Sequence, residues 1–237
     1  MTAGNTPAAP KTGPRQLNHF ALFSFTPAFW ELSKEQQAKI GSDFEQRLRK
    51  AAQVVYAYRI YPTRASVDFL VWTATMVDGP APADAMLNGL VDAVTPFRRW
   101  ISPADVLWGF TRPSDYASGR PAQEIDPFEG ERKPYLVIYP FAKTTDWYLM
   151  SRDARQGMMN EHIRLGREYP SILQLLLYSA GLQDHEFVVS YETDDLAYFS
   201  DLVTALRNTE VRRYTLRDTP IYTAMLQPFS KLFAVGQ

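Results

Sequence analysis

The sequence predicts an α+β fold built from two ferredoxin-like β-α-β-β-α-β halves, and three observations carry that reading. Apolar periodicity switches repeatedly between the two-residue period of a strand and the 3.6-residue period of a helix. The order of these segments in the first half recurs in the second, with little residue identity between the halves. Between them, "SDYASGRPAQEIDPFEGERKP" (114–134) has few apolar residues and three prolines, as a connection should.

In the first half, Leu17–Phe25 is strand-like. The next segment carries Ile40, Phe44 and Leu48 at helical spacing, and Ser33 with Gln36 makes a capping box at its start. Val54–Pro62 and Ser66–Thr75, rich in β-branched and aromatic residues, are a strand pair. A second helix is expected over Pro82–Pro96, with Met86, Leu90 and Val94 in register, and Asp105–Pro113 closes the half as a strand.

The second half repeats the series. Tyr135–Thr144 is a strand and Ser151–Tyr169 is mostly helix. Ile172–Gly181 and Glu186–Thr193 pair around the turn "LQDH". A long helix is expected over Leu196–Leu216, and Ile221–Gln227 is the last strand. The resulting division is a polar, Pro-rich tail over 1–15, a first half over 16–112, a linker over 113–133 and a second half over 134–237, each half an antiparallel sheet with helices on one face.

Composition narrows the function. The chain of 237 residues is 46% hydrophobic and 22% charged, ordinary for a protein that buries a core. A net charge of −1 lacks the basic excess of a nucleic-acid binder. No apolar run approaches the roughly 18 residues of a membrane span, and the first 15 residues lack a signal-like apolar middle. A soluble cytoplasmic protein is expected. Without cysteine there is no thiolate chemistry, so any metal chemistry falls to histidine and carboxylates.

Two residues are out of character for their positions. In "MMNEHIRLG" (158–166), His162 falls on the apolar side of its helix, between Met158 and Leu165. On the last helix, Phe199, Leu202, Val203 and Leu206 form a stripe whose next position is Glu210, a carboxylate that would be half-buried and need a partner. Both helices of a ferredoxin-like unit lie on one face of the sheet, so the two side chains could meet. A core histidine held by Glu210 is one reading; the other is a haem-iron ligand, since haem iron needs a single histidine where zinc needs three or four ligands. On the first strand of this half, Tyr139, Phe141 and Lys143 share one face and could wall a flat anionic ligand. His19 reads as a satisfied sheet residue, His185 as solvated, and Trp72, Trp100 and Trp108 as core or subunit contacts.

These residues carry a family resemblance. The run "YPFAKTTDWYLM…MMNEHIRLGREYP…LQLLLYSAGLQDHEFVVSYETDDL…LVTALRNTEVRRY" resembles the chlorite dismutase superfamily, and more closely its coproheme decarboxylase branch. The resemblance covers most of 135–224 and implies two ferredoxin-like halves of the dimeric α+β barrel type, haem in the C-terminal half, and rings of commonly five subunits. It implies that His162 is the proximal iron ligand and that Glu210 is the carboxylate hydrogen-bonded to it. It also implies that Tyr139 and Lys143 are the Tyr-x-x-x-Lys pair of the decarboxylases, with Tyr139 redox-active. Gln174 stands where dismutases carry a distal arginine and many decarboxylases a glutamine. A neutral amide cannot supply the charge that steers and stabilises hypochlorite, so the resemblance favours decarboxylation. Implied as substrate and cofactor at once is iron coproporphyrin III, with hydrogen peroxide as co-substrate and haem b as product. Arg212 replaces a serine that some relatives use for a propionate, and Arg120 and Arg132 are nearby candidates for that task. The competing expectations are a haem-binding or sensing module without turnover, and a chlorite dismutase-like haem peroxidase.

Overall fold

The computed structural model describes residues 15–116 and 122–234. The expected polar tail, Arg15 apart, and Arg120 lie outside the described residues. The first half contributes β1 (Arg15–Phe25), a short α1 (Pro27–Trp30), α2 (Lys34–Ala51), β2 (Val54–Arg59), β3 (Phe69–Val77), α3 (Pro80–Val94) and β4 (Ile101–Phe110). The second contributes β5 (Tyr135–Lys143), α4 (Thr145–Leu149), α5 (Arg152–Arg167), β6 (Leu173–Tyr178), β7 (Phe187–Thr193), α6 (Leu196–Arg207), β8 (Thr215–Arg217), β9 (Tyr222–Leu226) and α7 (Phe229–Phe233).

Local sequence sets these elements where expected. The Ser33 side chain accepts the Gln36 backbone N–H while the Gln36 side chain accepts that of Ser33, so α2 starts on a full capping box. Ser151 caps α5 through the Ala154 N–H, and Asp195 caps α6 through those of Ala197 and Tyr198.

Strand order in the first half is β4-β1-β3-β2 and in the second β6-β7-β5-β9, antiparallel throughout. The halves then join edge to edge. β2 pairs with β9 through Tyr58↔Leu226 and Arg59↔Met225, and β4 pairs with β6 through Phe110↔Tyr178. The result is a closed α+β barrel of eight strands in which each half covers the other's exposed edges. The β4–β6 seam is narrow. A Cβ at Gly109 would lie 2.6 Å from Ser179 Oγ and 2.7 Å from the Tyr178 carbonyl. Side chains extend the ladder there, with Gln183 bonded to both Trp108 N–H (2.9 Å) and Val106 C=O (2.8 Å).

Apolar residues fill three layers. Phe23, Phe44, Phe97 and Leu48 pack the first sheet against its helices. Phe20, Tyr58, Trp72, Leu136 and Leu175 fill the barrel interior. Val137, Val189, Tyr191, Phe199 and Leu202 lie between the second sheet and α6. Trp72 is fully buried with its indole N–H on Asn18 Oδ1 (2.9 Å), while Trp100 and Trp108 flank the first layer.

One expected element is shorter than its periodicity promised. The helix expected to reach Leu216 ends at Arg207, and Glu210–Tyr214 forms a separate 3₁₀ turn. Thr209 makes the break: its backbone is extended and its hydroxyl donates to the Leu206 carbonyl at 2.7 Å, taking an acceptor a longer helix would have used. The apolar stripe of α6 therefore stops before Glu210.

Candidate functional site

The outer face of the second sheet is covered unevenly. α6 buries Phe199 and Leu202 on it, whereas α5, 16 residues long and amphipathic, buries none of its residues. Below α5 the sheet presents Tyr139, Phe141 and Lys143 from β5, Phe187 from β7, and Gln174, Leu176 and Tyr178 from β6. These residues lie on one face because cross-strand partners and every second residue share it. None is buried, and Leu176 is 36% exposed. Phe141 and Phe187 stack at 4.7 Å with a 12° interplanar angle, and Tyr178 meets Phe187 edge-on at 5.4 Å. The floor is flat and aromatic and lies open beneath a helix.

His162 is on the side of α5 that faces this floor. Burial, with the Lys143 ammonium adding to it, pushes its imidazole down to about 4, so the ring is neutral near pH 7. Its Nδ1 is buried and has no hydrogen-bond partner among the described residues. The Lys143 amine lies 4.7 Å from the centre of the Trp147 ring and 3.4 Å from Thr215 Oγ1. Burial, followed by the Arg212 guanidinium, lowers it from 10.5 to about 8. Tyr139 stacks on Tyr191 at 6.2 Å. Its phenol is pushed well above 10, chiefly by burial and then by Tyr191, so it stays protonated. Gln174 is exposed at the far edge of the floor, its backbone N–H and C=O bonded to Gln123 and Ile125.

Sequence reasoning is corrected at four places. Glu210 does not reach His162: it begins the 3₁₀ turn, is half exposed, and lies 3.4 Å from Arg213 Nε. Arg132 is inside the barrel, 5% exposed, 3.6 Å from the fully buried Glu192 and flanked by the Tyr56 and Trp72 rings. It is thereby removed from the cleft. His185, in the loop before β7, is buried, with Nε2 unpartnered among the described residues. His19 has no partner on Nδ1 among the described residues, and burial lowers it to about 4.

Two arginines were not singled out in the sequence. Arg155 lies seven residues before His162 on the same face of α5, a spacing that could have revealed it. Arg112 sits 3.9 Å over the Tyr178 ring and pairs with Asp115 at 2.8 Å.

A closed α+β barrel with a neutral histidine over a partly uncovered aromatic face defines the class. A chlorite dismutase family model matches residues 34–227, and the chain belongs to that family. It is 28% identical over 216 residues to a coproheme decarboxylase of Mycolicibacterium smegmatis, covering 86% of this chain and 87% of that protein. It is 24% identical over 152 residues to the chlorite dismutase of Ideonella dechloratans, covering 60% and 53% respectively. The fold is similar to that of chlorite dismutase from Candidatus Nitrospira defluvii in complex with imidazole. That match has a TM-score of 0.78 at 20% identity over 92% of this chain and 95% of the other. Among the described residues, no helix is long and apolar enough to cross a membrane.

Proposed function

We propose that the chain is a coproheme decarboxylase, which uses hydrogen peroxide to convert two propionates of iron coproporphyrin III to vinyl groups, giving haem b. The observation that carries this reading is the placement of Tyr139 and Lys143 on the floor of the open cleft, with His162 on the helix above. The residues fit such a group. A neutral imidazole can give a lone pair to iron, a flat aromatic floor suits a porphyrin, and cations at its margin suit carboxylates. The 28% identity to a coproheme decarboxylase supports the same choice.

Bound coproheme supplies the iron at which peroxide is reduced, and it is itself the molecule that is decarboxylated. His162 would hold the iron. The buried Nδ1, without an acceptor among the described residues, is the atom a carboxylate would brace. Tyr139 is the redox-active group: its phenol gives up an electron and a proton, then takes a hydrogen atom from the propionate side chain. The side chain loses carbon dioxide and one further electron to become a vinyl group. Each round consumes one peroxide and releases two waters. Lys143, held near 8, pairs with the propionate and passes protons near pH 7 to 8. Gln174 offers an amide to the distal ligand, where an arginine would be wanted for chlorite. A cytoplasmic ring of five subunits is part of the proposal.

The test is addition of iron coproporphyrin III, then peroxide, read by mass spectrometry for successive loss of two carboxyl groups. Binding without that loss would favour a haem-binding module, and sustained oxygen release from chlorite would favour a dismutase.

A further inference from the structure

The cleft has one end where charge collects, and the mechanism above leaves its main cation unused. Arg155 and His162 face the same way on α5, and seven residues separate them by about 10 Å along the helix axis. Arg155 Nε is buried and has no hydrogen-bond partner among the described residues. No carboxylate pairs with Arg155 among the described residues. Asp115 is engaged with Arg112, and Glu186 accepts the Lys143 backbone N–H at 3.0 Å. A buried guanidinium donor without an acceptor is costly, and a carboxylate presented to its fork is the strongest remedy available.

The surroundings complete an anion site. α5 is tied to the segment after β4 by the bond from Gln156 Nε2 to the Tyr116 carbonyl at 3.0 Å. The Tyr116 phenol is under the electrostatic influence of both Arg155 and Arg112. The Tyr148 phenol senses the same two cations. Tyr116 also packs edge-on against Trp147, at 6.2 Å, and Trp147 carries the Lys143 amine on its face. Two guanidinium groups, an ammonium and two phenols thus converge at one end of the floor. A flat ring whose iron sat on His162 would carry its acidic arms at its rim, displaced along α5 from the metal.

We infer that Arg155 is a carboxylate-binding residue of this cleft, its guanidinium set along α5 from His162 so that it grips an acidic arm of the ring whose iron His162 holds. This rests on the porphyrin reading and adds that recognition depends on substrate charge at a defined place. Arg155 takes no part in electron transfer; it fixes which way the ring lies.

The experiment titrates the apoprotein with two iron porphyrins, iron coproporphyrin III and its uncharged tetramethyl ester, following absorbance. Wild type, Arg155→Gln and Arg155→Lys are compared, with melting curves as a check on folding. Arg155→Gln should weaken the acid about tenfold or more, leave the ester within about twofold, and keep the absorption band of the histidine-bound iron. Arg155→Lys should fall between, since an ammonium retains charge without the fork. Equal weakening of acid and ester would make Arg155 merely structural, and undiminished binding of the acid by Arg155→Gln would sink the inference alone. If wild type binds neither porphyrin, the decarboxylase reading falls as well.

Discussion

Replacing Lys143 with Met should raise the pKa of His162 in the apoprotein. Two causes hold that imidazole down at about 4 instead of 6.5, burial first and the Lys143 charge second. The lysine itself titrates near 8, so it is fully charged while the histidine titrates. Methionine removes the repulsion and keeps an unbranched side chain over Trp147, leaving the desolvation in place. The rise should therefore be less than half of the gap, about one unit at most. One unit is ~1.4 kcal/mol, the interaction of two unit charges roughly 12 Å apart at an effective dielectric of about 20. The assay is an NMR pH titration of imidazole carbon-bound protons, simplified by a total of three histidines. His19, on β1 in the other half, should not move. A His162 pKa unchanged to within about 0.2 unit, or lowered, would refute the claim that the two side chains face one cleft.

Other consequences follow from the same geometry. Tyr139→Phe removes one hydroxyl from the aromatic floor of the cleft, so coproheme should bind as in wild type while carboxyl loss, measured by mass spectrometry, falls by about 100-fold or more. Gly109→Ala would drive a Cβ into Ser179 and the Tyr178 carbonyl at the barrel seam. The cost should be about 1–3 kcal/mol, seen as a melting temperature lower by roughly 2–12 °C. His19 is neutral in the folded chain and titrates at about 4, against 6.5 when unfolded. The stability it contributes is present above 6.5 and is lost as pH falls towards 4, by up to about 3 kcal/mol. His19→Leu should flatten that acid limb in denaturant titrations at pH 7, 5.5 and 4.5.

Local patterns carried the element order well. Ser33 and Gln36 marked the start of α2, and Ile40, Phe44 and Leu48 marked its buried stripe. The face shared by Tyr139, Phe141 and Lys143 needed only the two-residue period of a strand, and β5 presents them that way. The Glu210 expectation failed for a local reason that periodicity does not see. A stripe can stay in phase across a break, and Thr209 ends α6 by taking the Leu206 carbonyl. Barrel closure through Tyr58↔Leu226 and Phe110↔Tyr178 joins residues far apart in sequence, so no local period encodes it. Arg132 was misplaced for the same reason: its partner Glu192 and the rings beside it come from three other strands. Arg155 was legible in principle, seven residues from His162, but a single charge on a polar helix gives no signal until the floor beneath it is known to be open.

The central claim is that one imidazole on α5 holds the iron above this floor. Its most direct test is the visible spectrum of wild type and His162→Ala after loading with iron coproporphyrin III. Wild type should show a histidine-bound iron; the variant should lose that band and regain it when imidazole is added. An identical spectrum from both proteins would contradict the account.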